Sequence, residues 1–256
     1  MLLVKCEDFN ELTNFLKLDY ANNLYFFTYL TERAINPNLI FLIAKHRDKI
    51  VLTILLTSVH CCITSLDAKY IYAIADQLPP INSIHIVGRK DLVEHLLKVS
   101  NNQKRDNHIE SFCVFNGKAI FDKPAASQKA TASNLDDLIH FYNNNDMLLD
   151  AESRLPAILS WGKAYFIQKE QDIVSCALTT TETNDAAMIG AVYTTPTFRN
   201  NGFSKDCILN LCQELVLQHK KPYLFYESNN VLLVSLYESL GFCQTNTWML
   251  ATRKQY

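Results

Sequence analysis

The chain has 256 residues, enough for one large domain or two of ordinary size, and its 48% hydrophobic and 20% charged content is that of a globular protein with a full core. A formal charge of −2 and a pI near 6.4 leave no electrostatic footprint for nucleic acid or an anionic membrane, and no run of Lys and Arg supplies a local one. The N-terminus lacks the basic region and long apolar stretch of a signal peptide, and the longest uncharged run, residues 50–66, is short for a membrane span and contains Thr, Ser and His.

In chain order, apolar periodicity predicts helices at 9–18 and 24–34, then strands at 40–45, 50–57 and 59–64. A helix at 67–78 is stopped by Pro79-Pro80. A strand at 84–87, a helix at 91–99 and a strand at 112–115 complete the first half. The small, polar, proline-initiated stretch 123–133 reads as an inter-domain boundary. Beyond it, Ser133 or Asn134 can cap a helix through Leu135, Leu138, Ile139 and Tyr142, with Asp136 and Asp137 in its first turn. A second helix is expected at 150–160, followed by strands at 164–168, 173–179 and 187–194. The next helix, 203–219, puts Cys207, Ile208, Leu211, Cys212, Leu215 and Val216 on one face, and Pro222 prevents its continuation. A strand at 223–226, a helix with the stripe Leu233, Leu236, Tyr237 and Leu240 ended by Gly241, and a closing strand at 245–252 finish the chain.

Eight cysteines without an export signal read as free thiols in a reducing compartment, which points to the cytoplasm, and each is most simply a small buried hydrophobe. Cys61 and Cys62 beside His60 point to opposite faces of a strand, and no C-x-x-C occurs, so no zinc site is expected.

The most informative segment is Val192-Tyr-Thr-Thr-Pro-Thr-Phe-Arg199-Asn-Asn-Gly202-Phe-Ser204. A strand, a short polar turn with glycine and a helix start together make a site for a pyrophosphate. The first helical N–H groups have no intrahelical acceptor, and the helix dipole favours negative charge there. Gly202 lets the backbone approach the anion, and Arg199 adds a permanent positive fork. Neither the P-loop pattern nor the dinucleotide fingerprint is present.

What is present, R-x-x-G-x-S after V-Y-T-x-P, resembles the acyl-CoA loop of the GCN5-related N-acetyltransferase (GNAT) superfamily, with Ser204 where that family usually has Gly or Ala. The run Asn230-Val-Leu-Leu-Val-Ser-Leu-Tyr237-Glu-Ser-Leu-Gly241-Phe242 resembles the second motif of the same superfamily, in the right order and separated by a helix and a strand. The resemblance covers residue 126 to the C-terminus. It implies an α+β fold, a mixed and mostly antiparallel central sheet flanked by helices. The first half loosely echoes the second without its motifs, so two tandem copies are expected: a degenerate one in 1–122 and an acetyltransferase domain in 126–256.

The resemblance also implies the chemistry. The backbone of Val192, Tyr193 and Thr194 is expected to hold the pantetheine arm and acyl carbonyl of acetyl-CoA, the turn amides from Arg199 through Asn200, Asn201, Gly202 and Phe203 to Ser204 its pyrophosphate, and Asn230 the CoA arm. Tyr237 matches the position of the general acid that protonates the departing thiolate, a task suited to a phenol. For the base, Glu227 is the first candidate, ahead of Glu182 and Asp185. The expected reaction is direct acetyl transfer to a primary amine on a small molecule or peptide, an acceptor to which the acidic residues Asp146, Asp150 and Glu152 are suited. The rival readings are a non-catalytic acyl-CoA-binding module and a cysteine-rich redox or metal protein.

Overall fold

A computed structural model describes residues 1–33, 38–100, 104–117, 126–145, 147–148 and 150–254. The described chain divides into two compact units: one holds Met1–Phe112, Tyr226–Asn230 and Thr245–Tyr256, the other Cys113–Phe225 and Val231–Gln244. The divisions therefore fall at 112/113, 225/226, 230/231 and 244/245, not within the expected linker. Of that linker, 126–133 is structured: Gln128–Lys129 forms a short strand, and the Ala126 amide donates to the Asp206 carboxylate at 2.6 Å.

The first unit begins with β1 (Leu3–Lys5), α1 (Phe9–Leu16), α2 (Leu24–Glu32), β2 (Ile40–His46), β3 (Lys49–Leu56) and β4 (His60–Ser65). It continues with α3 (Lys69–Tyr72), β5 (His85–Arg89), α4 (Lys90–Val99) and β6 (Arg105–Phe115), of which residues 105–112 belong here. Asp8 caps α1, its carboxylate accepting from the amides of Asn10 and Glu11, which supplies two otherwise orphaned donors with an acceptor. β1, β2, β3 and β4 pair antiparallel in sequence, and β4 runs parallel to β5. The neighbour of β5 on its other side is the last strand of the chain, β12 (Phe242–Arg253), through the antiparallel register Trp248↔Arg89 to Thr252↔His85. Met249 and Ala251 of that strand join Leu52, Ile54, Ile63, Ile86 and Leu96 in the core. Arg105 clamps the arrangement, its guanidinium donating to the carbonyls of Ser83, Ile84 and Ala251.

The later part of the chain repeats the same order: β7 (Gln128–Lys129), α5 (Leu135–Asn143), α6 (Ala151–Trp161), β8 (Ala164–Lys169), β9 (Asp172–Glu182), β10 (Ala186–Thr194), α7 (Phe203–Leu217), β11 (Lys221–Glu227), α8 (Val231–Ser239) and β12, of which residues 226–227 of β11 and 245–253 of β12 belong to the first unit. Its strands β7 to β10 pair antiparallel, and β10 runs parallel to β11. Two tandem copies of one mixed α+β fold are thus visible as a ten-element order written twice. The core of this copy holds Tyr142 and Cys176 with Leu138, Phe141, Leu155, Phe166 and Leu178, and burial of each of these Leu and Phe side chains stabilises the fold by about 1.5–3 kcal/mol. Asn134 is the N-cap position of α5, one of the two expected, but its side chain makes no cap bond to that helix; it closes a capping box with Thr131 around a single 3-10 turn, Ala132–Asn134, that leads into the helix. Val216 also departs from its expected buried face and is about half exposed, while Cys207, Ile208, Leu211, Cys212 and Leu215 are buried. No described helix is long and apolar enough to cross a membrane.

Candidate functional site: a broken strand and an open helix start

Strand β10 is irregular where the acyl donor was expected. Its register against β9 shifts twice, between Met188 and Ile189 and between Gly190 and Tyr193. In the second shift three steps along β10 match two along β9, from Gly190↔Leu178 to Tyr193↔Cys176, so β10 carries an extra residue, a β-bulge. Ala191 inside the bulge is left-handed at φ 48, a conformation an alanine holds only when its surroundings fix it. One such fixing contact is explicit: the buried Tyr142 hydroxyl, from α5, donates to the Ala191 carbonyl at 2.9 Å. The parallel register between β10 and β11 runs from Ala186↔Lys221 to Ile189↔Leu224, and Gly190–Thr194 lie past it, half-buried. Val192, Tyr193 and Thr194 are therefore brought together on the irregular part of the strand.

A 3-10 turn at Pro196–Phe198 reverses the chain, and Asn200 (φ 64) and Gly202 (φ 77) both adopt left-handed backbone before α7 begins. Gly202 is the N-cap of this 15-residue helix, and no side chain caps it. A Cβ built on Gly202 meets nothing within 4 Å, so the space beside its backbone is open. Arg199 is exposed. Its Nε donates to the Thr194 carbonyl at 3.1 Å, and its guanidinium carbon lies 5.6 Å from the centre of the Tyr193 ring, which ties the turn back to the donor strand. Asn201 stiffens the same turn by donating its amide to the carbonyls of Phe198 and Arg199. Phe203 and Ser204, half-buried, start the helix, and the Lys169 ammonium lies 5.2 Å from the Phe203 ring centre. Positive charge and unused amides thus meet at one helix start, the arrangement that attracts an anion.

Tyr237 lies on α8 in the same unit, only 5% exposed, with its ring edge-on to Phe242. Burial, with a smaller contribution from Cys113, pushes its hydroxyl up to about 12, which keeps the phenol protonated at neutral pH. Asn230, the residue before α8, and Glu227, the exposed last residue of β11, fall in the other compact unit, where the Asn230 amide donates to the Glu227 carbonyl at 3.0 Å. In that unit Glu110 on β6 has its carboxyl raised, first by burial and further by Glu227, a titratable neighbour that the polar stretch 105–110 gave no reason to single out. Glu182 is not a candidate base. Its carboxylate is 4% exposed and one oxygen accepts from both Lys163 and Lys220 at 2.5 Å, so it is committed to a buried ion triad. Asp185 is exposed and its carbonyl accepts the Lys221 amide. Of the acidic residues suited to an amine, Asp150 and Glu152 begin α6, and Asp146 lies outside the described residues. Seven of the eight cysteines are buried and all are free.

Comparison with known proteins bears on the fold. The profile of the FR47-like protein family matches residues 169–249, the segment that contains both motifs. No curated protein matches the sequence. Among solved structures, an acetyltransferase from the GNAT family of Colwellia psychrerythraea superposes with a TM-score of 0.68 at 11% identity, covering 98% of this chain and 99% of that one. A Drosophila protein superposes with a TM-score of 0.69 at 11% identity, covering 99% of each chain. A tandem GNAT protein from the clavulanic acid biosynthesis pathway gives 0.55 at 9% identity, again over 99% of both. The likeness spans both units, and with the two motifs it establishes that this chain carries the two-domain fold of the GCN5-related N-acetyltransferase superfamily.

Proposed function

We propose that this protein binds acetyl-CoA through its two C-terminal motifs, within residues 126–256, and transfers the acetyl group directly to a primary amine. The observation that carries the reading is the uncapped start of α7 at Gly202, with open space beside its backbone, directly after a donor strand broken by a bulge. The turn from Arg199 to Ser204 offers backbone amides to the pyrophosphate, and Val192, Tyr193 and Thr194 offer theirs to the pantetheine arm and the acyl carbonyl. Asn230 is assigned to the CoA arm by its place in the second motif. The amine nitrogen attacks the thioester carbonyl, a C–N bond forms, and the C–S bond breaks as Tyr237 gives its proton to the leaving sulfur. Glu227 is proposed to take the proton that the ammonium must lose. No cysteine intermediate is invoked, which fits thiols whose burial raises their pKa, as at Cys176, pushed up to about 12. Free thiols throughout are consistent with a reducing compartment such as the cytoplasm.

Isothermal titration with acetyl-CoA, run beside Gly202→Glu, tests the donor site. One ligand per chain is expected, with binding lost when a carboxylate replaces the open space beside the backbone there. No binding by the wild-type protein overturns the reading. A second reading, an acyl-CoA-binding module without turnover, is favoured by the depth at which Tyr237 is buried. Saturable binding with no CoA release across a panel of primary amines selects that reading.

A further inference from the structure

Resting on the acetyl-CoA reading above, we infer that Tyr142 is a positioning residue for the acyl group: by holding the Ala191 carbonyl it aims the Val192 N–H at the thioester oxygen. The argument starts from the peptide plane. The Ala191 C=O and the Val192 N–H belong to one planar trans peptide and point in opposite directions. Fixing the carbonyl fixes the N–H. Tyr142 fixes the carbonyl from 49 residues away in sequence, at 2.9 Å, from a side chain with no exposed surface. Burial raises the pKa of its hydroxyl well above the ordinary value, so it remains a donor at neutral pH.

A bulge needs such a pin. The extra residue of β10 is left out of the ladder with β9, and Ala191 sits at a φ of 48 that a side chain disfavours. Without an external partner the peptide could rotate toward ordinary extended backbone, carrying the Val192 N–H with it. Phe141, the neighbour of Tyr142, packs against the Tyr193 ring with centroids 6.0 Å apart, so two consecutive residues at the end of α5 hold both sides of the bulge. Tyr142 therefore acts through the backbone and touches neither substrate nor the thioester.

The test uses two ligands that differ only in the acyl group. Wild-type protein and Tyr142→Phe are each titrated with acetyl-CoA and with CoA. In the wild-type protein the acyl carbonyl is expected to add to affinity, and in Y142F acetyl-CoA is expected to weaken by roughly three- to tenfold, the range of one neutral hydrogen bond, while CoA is unchanged. A merely structural role weakens both ligands alike. Equal losses, or no loss, overturn the inference while leaving the acetyl-CoA site standing; failure of the wild-type protein to bind either ligand removes the site itself and the inference with it. Should Y142F fail to fold, a crystal structure of the wild-type protein with acetyl-CoA decides. The thioester oxygen within hydrogen-bonding distance of the Val192 nitrogen, with the Tyr142–Ala191 bond intact, supports the inference, and an oxygen bonded elsewhere overturns it.

Discussion

Tyr237 shows how one side chain can be both core and chemistry. Its ring is buried against Phe242, as the apolar stripe of its helix requires, and the same burial pushes its hydroxyl up to about 12. A proton donor must still carry its proton at working pH, and a raised pKa extends that condition into the alkaline range. The sign is definite: donation is lost as pH rises through the raised value, so the alkaline limb of kcat belonging to this group lies near 12 and not near 10. Tyr237→Phe is expected to lower kcat by about a hundredfold and to change acetyl-CoA affinity by less than about twofold. A variant with unchanged kcat would remove Tyr237 from the chemistry and leave it as a packing residue. Both motifs were legible because they consist of particular residues at fixed spacing. Tyr142 was legible only as one apolar position on a helix, since its partner is a backbone carbonyl and carbonyls leave no mark in a sequence.

Among the elements, long periodic ones were read to within a few residues and short or polar ones were not. β1 and β7, three and two residues long, offer no alternation to detect. β6 runs from Arg105, although only its apolar end from Phe112 looked like a strand, because residues 106–108 are polar and exposed. The expected helix at 67–78 is four residues of α3 followed by a 3-10 turn at Ala75–Gln77. Pro222 lies inside β11, paired with Ala187, and α7 has already ended at Leu217. The extra residue of β10 left no mark in the sequence because residues 187–194 are nearly all apolar or small and carry no alternation whose phase an insertion would reverse. Glu182, a candidate base by sequence, ends β9 between Lys163 and Lys220, whose side chains are 7% and 18% exposed. Glu182→Ala leaves two ammonium groups poorly solvated and unpaired with it. The expected loss is about 3–5 kcal/mol, seen as a melting temperature lower by roughly 10 °C. A melting curve matching the wild type would mean that water replaces the carboxylate at no cost.

For the whole molecule, the ten-element order written twice is what a reader of the sequence could suspect from a loose echo, while the ownership of the last strand could not be read. Strand pairing is non-local, and nothing in residues 245–252 distinguishes a neighbour in the second copy from β5 in the first. Removing residues 245–256 is expected to damage the first unit, most of which, residues 1–112, is far from the cut in sequence. β5 loses its antiparallel neighbour, Met249 and Ala251 leave the core, and the Arg105 guanidinium loses the Ala251 carbonyl. Limited proteolysis of the truncated chain should cut within residues 1–112, and a first unit as resistant as in the full chain would contradict this account. The same strand sets an order in time. Synthesis runs from the N-terminus, and proteins of tandem domains ordinarily fold each one as it leaves the ribosome. Here the first unit cannot complete its sheet until residues 245–253 have been made, so the half of the chain synthesised first is among the last to finish folding, and its unpaired β5 edge must survive the translation of the entire second copy.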